Sequence, residues 1–375
     1  MTQLLNDSVI EQSKLTDLRL LHTLQDIVDK VEIHSNFSIH HPDYQPFELP
    51  PEAVSRFQSI PEVIKQKYLS LQLRNFLYGI YYNHSLRASL SLDTNTKNFA
   101  SNLENNSFLG VDLQFYERLH ASNSGTGYFD PGWSVIKQED DGTLAVTKAD
   151  LRLHIEREKH LPESAQKSKV GDLVAIRMPK NLVQNGFYMA VGNMGLHYQN
   201  HANTHPVTVR IYFNLTAEGA VAVMASLTQQ LNAQAIPFDF KVLYNPNDYQ
   251  RHDSGVLYFD KNHYQTVRQV LQTVYQEQQI HFQPEIPLFT MQLASGLGLA
   301  EEPEHKFATQ ESFGMNRCQI ITNGMLAAWY AGEKLPENRM KAIFEQFSLL
   351  NIDWQHPYLN ANSENIYLPL NDTNN

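Results

Sequence analysis

The sequence contains a single cysteine, Cys318, among its 375 residues. An internal disulfide and a zinc site made of paired CxxC motifs are therefore both excluded. Basic residues are also scarce, because 29 Lys and Arg against 40 Asp and Glu leave a formal net charge of −11. This balance argues against a nucleic-acid coat or a general membrane-surface binder, since both need a basic field.

Long hydrophobic runs are missing as well. No stretch approaches the roughly 18 continuous apolar residues of a membrane span, and the first residues lack the basic and apolar segments of a signal peptide. Three familiar catalytic motifs, GxSxG, HExxH and the kinase DFG set, are absent too. We therefore expect a cytoplasmic protein that binds neither nucleic acid nor a membrane.

The first third of the chain has helical periodicity. Apolar residues recur at helical spacing from Ser8 to about Val31, again over 64–80, and near 111–119. The prolines of residues 42–51 mark an irregular crossing between the first two helices. Residues 1–120 are therefore predicted to form a helical N-terminal domain that docks a peptide or a partner.

Beyond residue 120 the pattern changes to short strands. The turn Asp140–Gly142 lies between two strand-like runs and predicts a β-hairpin. Further strands are predicted at Leu151–Ile155, 173–178 and 187–191, with helices near 216–236, 264–278, 319–330 and 337–350. We predict an α+β fold over residues 121–375, with a mixed sheet flanked by helices.

Three further runs carry polar side chains within apolar strands. In residues 208–214, Arg210 alternates with buried-type residues, and Lys241 alternates with Phe240 and Val242 in the next strand. Tyr258 lies in the third run. Because stability does not require these groups on a sheet, we predict that they face one cleft suited to an anionic substrate and a proton transfer.

Several basic side chains of the second half are candidates for holding a phosphoryl group. Arg binds phosphate through two parallel charge-assisted hydrogen bonds, and Lys adds positive charge without that geometry. Any one of them alone is more simply explained as a solvated surface charge. The predicted phosphate-binding residues are Arg177, Lys180, Arg210, Arg251 and Arg317.

Histidines at positions 197, 201 and 205 repeat every four residues, a spacing that on a helix would bring three imidazoles together for zinc. Gly195, Asn200, Asn203 and Pro206 make a helix there unfavourable. We therefore predict no metal, and interpret this segment as a loop of ordinary or acid-donating histidines. The GxG at Gly296 and Gly298 lacks the remaining residues of a nucleotide loop, which favours a conformational role.

Most of residues 120–335 resembles the HopA-type effector family. The motifs that carry the resemblance are YFDPGW at 128–133, GFYMA at 186–190, VRIYF at 209–213, FKVLY at 240–244, DSGVLYFD at 253–260, GLGLAEEP at 296–303 and ESFGMNR at 311–317. The resemblance implies a relative of secreted bacterial effectors. It also implies similarity to the lyases of class V lanthipeptide and thioamitide pathways, which act beside a separate kinase and eliminate phosphate from phosphoserine or phosphothreonine in a precursor peptide.

The resemblance also implies roles for particular residues. By similarity to bacterial phosphothreonine lyases, Lys241 falls where the general base lies and Tyr258 where a tyrosine lies. Where those lyases carry a histidine acid in the first strand, this sequence has Arg210. The acid is therefore expected to be Tyr258 or a histidine of the 197–205 loop, with His201 and His205 as the candidates.

Two main hypotheses follow. The first is a lyase that forms dehydroamino acids in a phosphorylated precursor peptide after a separate kinase has acted, with no metal or organic cofactor. The second is an effector-like module that binds a phosphopeptide or protein through the same basic cleft without turning it over. A third, a hydrolase using histidine-bound zinc, requires a metal that the spacing does not favour.

Overall fold

The computed structural model describes residues 18–50, 52, 54–55, 60–92, 111–197 and 206–370. Residues 18–30 form helix α1, as their spacing predicts, and the predicted start at Ser8 lies outside the described residues. The second predicted helix is α2, Glu62–Leu77, which continues as a π-helical turn at Tyr78–Tyr82. The third is α3, Leu113–Ser122, where the Asp112 side chain caps the Phe115 N–H.

The proline-rich crossing between α1 and α2 contains a small sheet rather than irregular chain. Its three strands are β1 (Glu32–Ile33), β2 (Ile39–His41) and β3 (Tyr44–Phe47), all antiparallel. Pro46 is tolerated in β3 because that strand is the sheet's edge. The domain boundary near residue 120 stays a prediction, and one hydrophobic cluster extends across it from Leu20 to Leu370.

A four-stranded antiparallel sheet follows α3, with strand order β6-β5-β4-β7. Its strands are β4 (Tyr128–Gln138), β5 (Leu144–Lys148), β6 (Leu151–Ile155) and β7 (Leu173–Met178). The predicted hairpin is confirmed as β4 and β5, whose turn contains Gly142 at a φ of 87°. Between β6 and β7 lies a short helix, α4, Arg157–His160.

The central sheet has seven strands in the order β13-β14-β10-β12-β11-β9-β8. They are β8 (Asn181–Gln184), β9 (Phe187–Val191), β10 (Thr208–Phe213), β11 (Asp239–Leu243), β12 (Gly255–Asp260), β13 (Met291–Ala294) and β14 (Leu297–Glu301). Together with the helices, these sheets confirm the predicted α+β class.

The central sheet is antiparallel at every pairing of its described strands, and not mixed as predicted. Helix α5, Ala217–Ala233, connects β10 to β11, which run in the same direction. Strand β12 comes later in the chain and inserts between them, so each immediate neighbour pair is antiparallel. The sheet is therefore antiparallel because β12 lies between β10 and β11, although β10 and β11 themselves run in the same direction.

The other three helices agree closely with the predicted segments. Helix α6 spans Tyr264–Gln278, α7 spans Phe313–Tyr330 and α8 spans Pro336–Leu349. Alternation along β10 buries Val209, Ile211 and Phe213 on one face of the sheet. Among the described residues, no helix is long and apolar enough to cross a membrane.

The two glycines of the weak nucleotide-loop motif have structural roles. Gly296 lies in the β13–β14 turn at a φ of 73°, and a Cβ there would come within 2.2 Å of the Gln283 carbonyl oxygen. A Cβ at Gly298 would lie 2.6 Å from Oγ1 of Thr290. The predicted conformational role is therefore confirmed at both positions.

Candidate functional site

Three neighbouring strands bring Arg210, Lys241 and Tyr258 onto one face of the central sheet. Arg210 on β10 pairs with Tyr258 on β12, and Tyr258 pairs on its other side with Asp239 on β11. Directly paired residues share a face, and Lys241 is two positions from Asp239 on the same strand. The opposite face is the one that carries Phe240 and is buried in the core.

The Tyr258 ring is the centre of this face. The Arg210 Cζ atom lies 5.0 Å from the ring centroid, and the Lys241 Nζ atom lies 5.4 Å from it. Lys241 also lies 4.6 Å from the ring of Phe187 on β9 and donates a hydrogen bond of 3.2 Å to Gln184. Both cations are therefore held by aromatic faces, an attraction of about 0.5–1 kcal/mol for each exposed contact.

A histidine and a buried aspartate complete the face. The Nδ1 atom of His197 is hydrogen-bonded to the Asp239 carboxylate, and the imidazole stacks on Tyr258 with centroids 5.8 Å apart. Asp239 has no exposed surface, so burial raises the pKa of its carboxyl group while His197 opposes that shift. The carboxylate fixes the orientation and tautomer of the imidazole, as in other Asp–His pairs.

Arg210 is held tightly by an acidic neighbour. Its Nε and Nη2 atoms both contact the Glu302 carboxylate, which also accepts a hydrogen bond of 2.5 Å from Lys306. Burial favours loss of its charge, but Tyr258, Tyr212 and Glu302 together raise the pKa of Arg210 well above the ordinary value. Arg210 is therefore a fixed positive charge with one side against Tyr258.

Arg251 borders the same face on the side of Phe187. Its guanidinium carbon lies 5.9 Å from the Phe187 ring, and its Nε and Nη2 atoms donate to Asp253 at 2.5 and 2.8 Å. Asp253 also accepts hydrogen bonds from Asn83 and Tyr78. Burial raises the pKa of Asp253, but Arg251 and Asn83 reverse the shift, so the carboxyl stays ionised.

Two other predicted phosphate ligands donate to main-chain carbonyl oxygens of residues 123–126. Arg177 on β7 donates from Nη2 to the Thr126 carbonyl oxygen at 2.6 Å. Lys180 donates to the carbonyl oxygen of Asn123 at 2.8 Å. Both side chains tie down the segment before β4, and the structure does not bring them to Arg210 and Lys241.

Arg317 does not serve as a ligand-binding cation either. It is 1% exposed, within α7, and donates to the carbonyl oxygens of Pro357 and Leu359 and to Asn316. Burial lowers its pKa to about 10. The guanidinium is used by protein oxygens, so it holds the C-terminal segment against α7 rather than a phosphate.

The histidine loop is described only at its first member. His197 contacts Asp239 and Tyr258, whereas His201 and His205 lie outside the described residues and stay predictions. No group of three or more His, Cys, Asp and Glu suited to a metal ion occurs in the part of the chain that the structure describes. The sequence analysis did not single out Asp239 as a functional residue. Its position two residues before Lys241, which places both side chains on one face of the strand, is the signal that could have found it.

One protein-family model matches part of the chain. Residues 178–359 match the model of the HopA1 effector protein family, which confirms the HopA-type resemblance over that range. No curated protein matches the chain. Two solved structures are similar, the effector proteins from Pseudomonas syringae pv. tomato strain DC3000 and from pv. syringae strain 61. Each is 16% identical to this chain, with a TM-score of 0.39, and the match covers 66% of this chain. It covers 80% of the first effector and 81% of the second.

Proposed function

We propose that this protein, which matches the HopA1 effector family over residues 178–359, is a lyase that eliminates phosphate from phosphoserine or phosphothreonine in a peptide. The observation that carries the proposal is the grouping of Lys241, Arg210 and His197 around Tyr258. β-Elimination needs a base for the Cα hydrogen, a cation for the phosphate and an acid for the leaving oxygen.

Lys241 is the proposed base. In its neutral form the Nζ atom takes the Cα proton, the electron pair of that C–H bond forms the Cα=Cβ double bond, and the Cβ–O bond breaks. The products are a dehydroamino acid and inorganic phosphate, so no redox partner is involved. The rings of Phe187 and Tyr258 flank this Nζ atom, with centroids 4.6 and 5.4 Å away, and limit the directions from which a substrate can approach it.

His197 is the proposed acid, with Asp239 as its positioning residue. Because Nδ1–H donates to the Asp239 carboxylate, the acid is the doubly protonated imidazolium, which gives its Nε2 proton to the leaving phosphate oxygen and is left as the neutral Nδ1–H tautomer. This assignment supplies a histidine acid from the loop before β10, where the resemblance left Arg210 in place of the histidine of related lyases. The Tyr258 ring then acts as the platform that spaces base, acid and arginine.

Arg210 and Arg251 are the proposed phosphate-binding cations. Both are oriented by carboxylates, Glu302 and Asp253, so their planar guanidinium groups are fixed before a substrate arrives. Arg251 flanks the Phe187 side, and Arg210 flanks Tyr258. Phosphate would share these guanidinium groups with their carboxylates.

The partner of this reaction is a phosphorylated precursor peptide supplied by a separate kinase. The test is incubation of purified protein with a phosphothreonine peptide, followed by mass spectrometry for loss of phosphoric acid. Elimination by wild type that disappears in Lys241→Ala supports the proposal. Elimination that persists undiminished in Lys241→Ala contradicts the assigned base, and no loss from any phosphoserine or phosphothreonine peptide contradicts the lyase.

A second function, phosphopeptide binding without turnover, is favoured by one observation. Arg210 and Arg251 are each held in place by a carboxylate, an arrangement that also suits a rigid recognition surface. This function predicts binding that depends on the phosphate while the mass of the peptide stays unchanged. The same mass spectrometry experiment therefore separates the two functions.

A further inference from the structure

A groove lies beside the four-stranded sheet and is lined by residues other than those of the face around Tyr258. It has a volume of about 560 Å³ and lies between β6 and β7, with Leu153, Ile155 and Ile176 among its apolar lining residues. Four basic or imidazole side chains also line it: His154, Lys159, His160 and Arg177. Its size is within the range of pockets that hold a ligand or a few residues of a peptide.

The charge of this groove differs from that of the whole chain. None of its described lining residues is acidic, although the protein has a net charge of −11. Residues 121–180 contain as many Lys and Arg as Asp and Glu, so the net negative charge lies elsewhere. The groove is therefore complementary, in charge and in polarity, to a peptide segment that carries both acidic and apolar side chains.

Two of these side chains are already oriented. The Nδ1 atom of His160 accepts a hydrogen bond from the Glu156 N–H, so its remaining proton lies on Nε2, which can donate to a ligand. Arg177 is fixed by its bond to the Thr126 carbonyl oxygen. Lys159 pairs with Glu156 at 2.8 Å, an exposed ion pair weak enough for a ligand carboxylate to replace.

The groove lies along two sheet edges. Strands β6 and β7 are the two outer strands of the order β6-β5-β4-β7, and no described strand pairs with the outer side of either. Helix α4 crosses from the end of β6 toward β7 at one end of the gap. An edge strand presents unpaired backbone groups, and an extended peptide is the ligand that such edges bind.

The groove is connected to the face around Tyr258 through one residue. Thr126 lines the groove, holds Arg177 through its carbonyl oxygen and donates its own N–H to the Asn193 side chain at 2.8 Å. Asn193 lies on the segment that leads to His197. Two hydrogen bonds therefore connect the rim of the groove to the segment that carries the proposed acid.

We infer that this groove binds an extended acidic segment of the peptide substrate, outside the phosphorylated residue. The inference rests on the proposed function for the identity of the substrate, but the binding itself does not need catalysis. A peptide fits better than a single-stranded nucleic acid, because the described lining residues include no aromatic ring other than imidazole on which bases could stack. The rim charges then select acidic side chains, and the apolar floor selects residues such as leucine.

The test is fluorescence anisotropy with a fluorescein-labelled peptide of alternating Leu and Asp that carries no phosphate. Wild type is expected to bind it and to bind the matching Leu and Lys peptide at least about fivefold more weakly. Lys159→Glu should weaken binding of the acidic peptide by about fivefold or more. Arg177→Gln, which removes the positive charge, should do the same. The matched control is Lys167→Glu, an exposed lysine of the same sheet unit outside the groove, which should leave binding unchanged.

Three results would overturn the inference: no binding of the acidic peptide, equal weakening by Lys167→Glu, or displacement by an equal concentration of oligothymidylate. Elimination from a phosphopeptide is measured separately, with and without the same acidic extension. A lower KM with the extension, lost in Lys159→Glu, supports the inference. Acidic-peptide binding without elimination would contradict only the lyase, whereas elimination without such binding would contradict only the groove.

Discussion

His197 and Tyr258 stack face to face, with ring centroids 5.8 Å apart and ring planes inclined by 20°. The same tyrosine ring contacts Arg210 and Lys241, so one aromatic side chain sets the spacing of three functional groups. The ring of Tyr258 should therefore contribute more to the proposed elimination than its hydroxyl group does.

Replacement of Tyr258 distinguishes a platform from an acid. Tyr258→Phe keeps the ring and should reduce the elimination rate by less than about tenfold, because a true general acid contributes about 10²–10⁴-fold. Tyr258→Leu removes the stacking and both cation contacts and should reduce the rate much more. The measurement is single-turnover elimination with a phosphothreonine peptide. A loss in Tyr258→Phe as large as that in Tyr258→Leu would reassign the acid to Tyr258.

Replacement of Lys241 tests the base. Lys241→Ala should lower the elimination rate by about 10²–10⁴-fold, while binding of the phosphopeptide weakens much less. The matched control is Lys137→Ala, an exposed lysine of β4 paired with Glu139, which should change neither quantity. Rates and binding are compared by mass spectrometry and anisotropy. Equal losses of rate and binding in Lys241→Ala would indicate a role in binding alone.

Replacement of Asp239 tests its positioning role. Asp239→Asn removes the carboxylate that accepts from His197 and should lower the turnover number by about 10²-fold or more, with KM nearly unchanged. Asp239→Glu should restore part of the rate, because it restores the charge. The pH profile of turnover should also shift on Asp239→Asn, a change that a purely structural residue would not produce.

Replacement of Arg317 should affect stability rather than chemistry. Arg317→Ala leaves the carbonyl oxygens of Pro357 and Leu359 buried without their donor, at a cost of about 1–3 kcal/mol for each group. Urea denaturation should show this loss in the free energy of unfolding. Elimination per folded molecule should stay close to wild type. A stable Arg317→Ala variant that no longer binds phosphopeptide would restore the predicted phosphate role.

The stability should fall on acidification because of two adjacent histidines, of which His252 is buried and His84 is half-buried. His84 and His252 lie with ring centroids 3.8 Å apart, and burial lowers their pKa values to about 2 and about 4. Arg19 and Arg87 lower both values further, and Glu285 opposes this at His252. The unfolded chain binds protons below its ordinary histidine pKa of about 6.5, whereas the folded pair resists them. The free energy of unfolding should therefore decrease from pH 6.5 toward pH 4, by up to about 1.4 kcal/mol per pH unit for each histidine.

The check is urea unfolding at several pH values in wild type and in His84→Asn. Asparagine suits position 84 because the backbone there has a φ of 64°, which asparagine tolerates better than most residues. The variant should show a shallower dependence of unfolding free energy on pH between 6.5 and 4. Identical slopes in the two proteins would contradict the assignment to this pair.

The sequence predicted the strand face because alternation along a strand is a local property. Arg210, Lys241 and Tyr258 each stand out within a few residues, and their common orientation follows from the period of two. Asp239 obeys the same alternation but gives no local signal, since its partner His197 is 42 residues away in the chain. Only the folded sheet brings these two side chains together.

Burial inside helices was the other feature that the sequence did not reveal. Arg317 has the same charge as Arg210, and only the packing of the C-terminal segment against α7 shows that its donors are already used. The sheet of β1, β2 and β3 was missed because prolines in a short segment usually indicate irregular chain, whereas an edge strand tolerates one. The partners of the Arg317 donors and of the β1, β2 and β3 strands are set by tertiary packing, which the local sequence does not reveal.

The position of β12 has a consequence for how the site comes into existence. During synthesis, the strands that carry Arg210 and Lys241 emerge first and have an open slot between them. Strand β12, which brings Tyr258, must enter that slot before one aromatic ring contacts both cations. The face around Tyr258 is therefore incomplete until residues 255–260 have inserted, and it is one of the later parts of the central sheet to assemble.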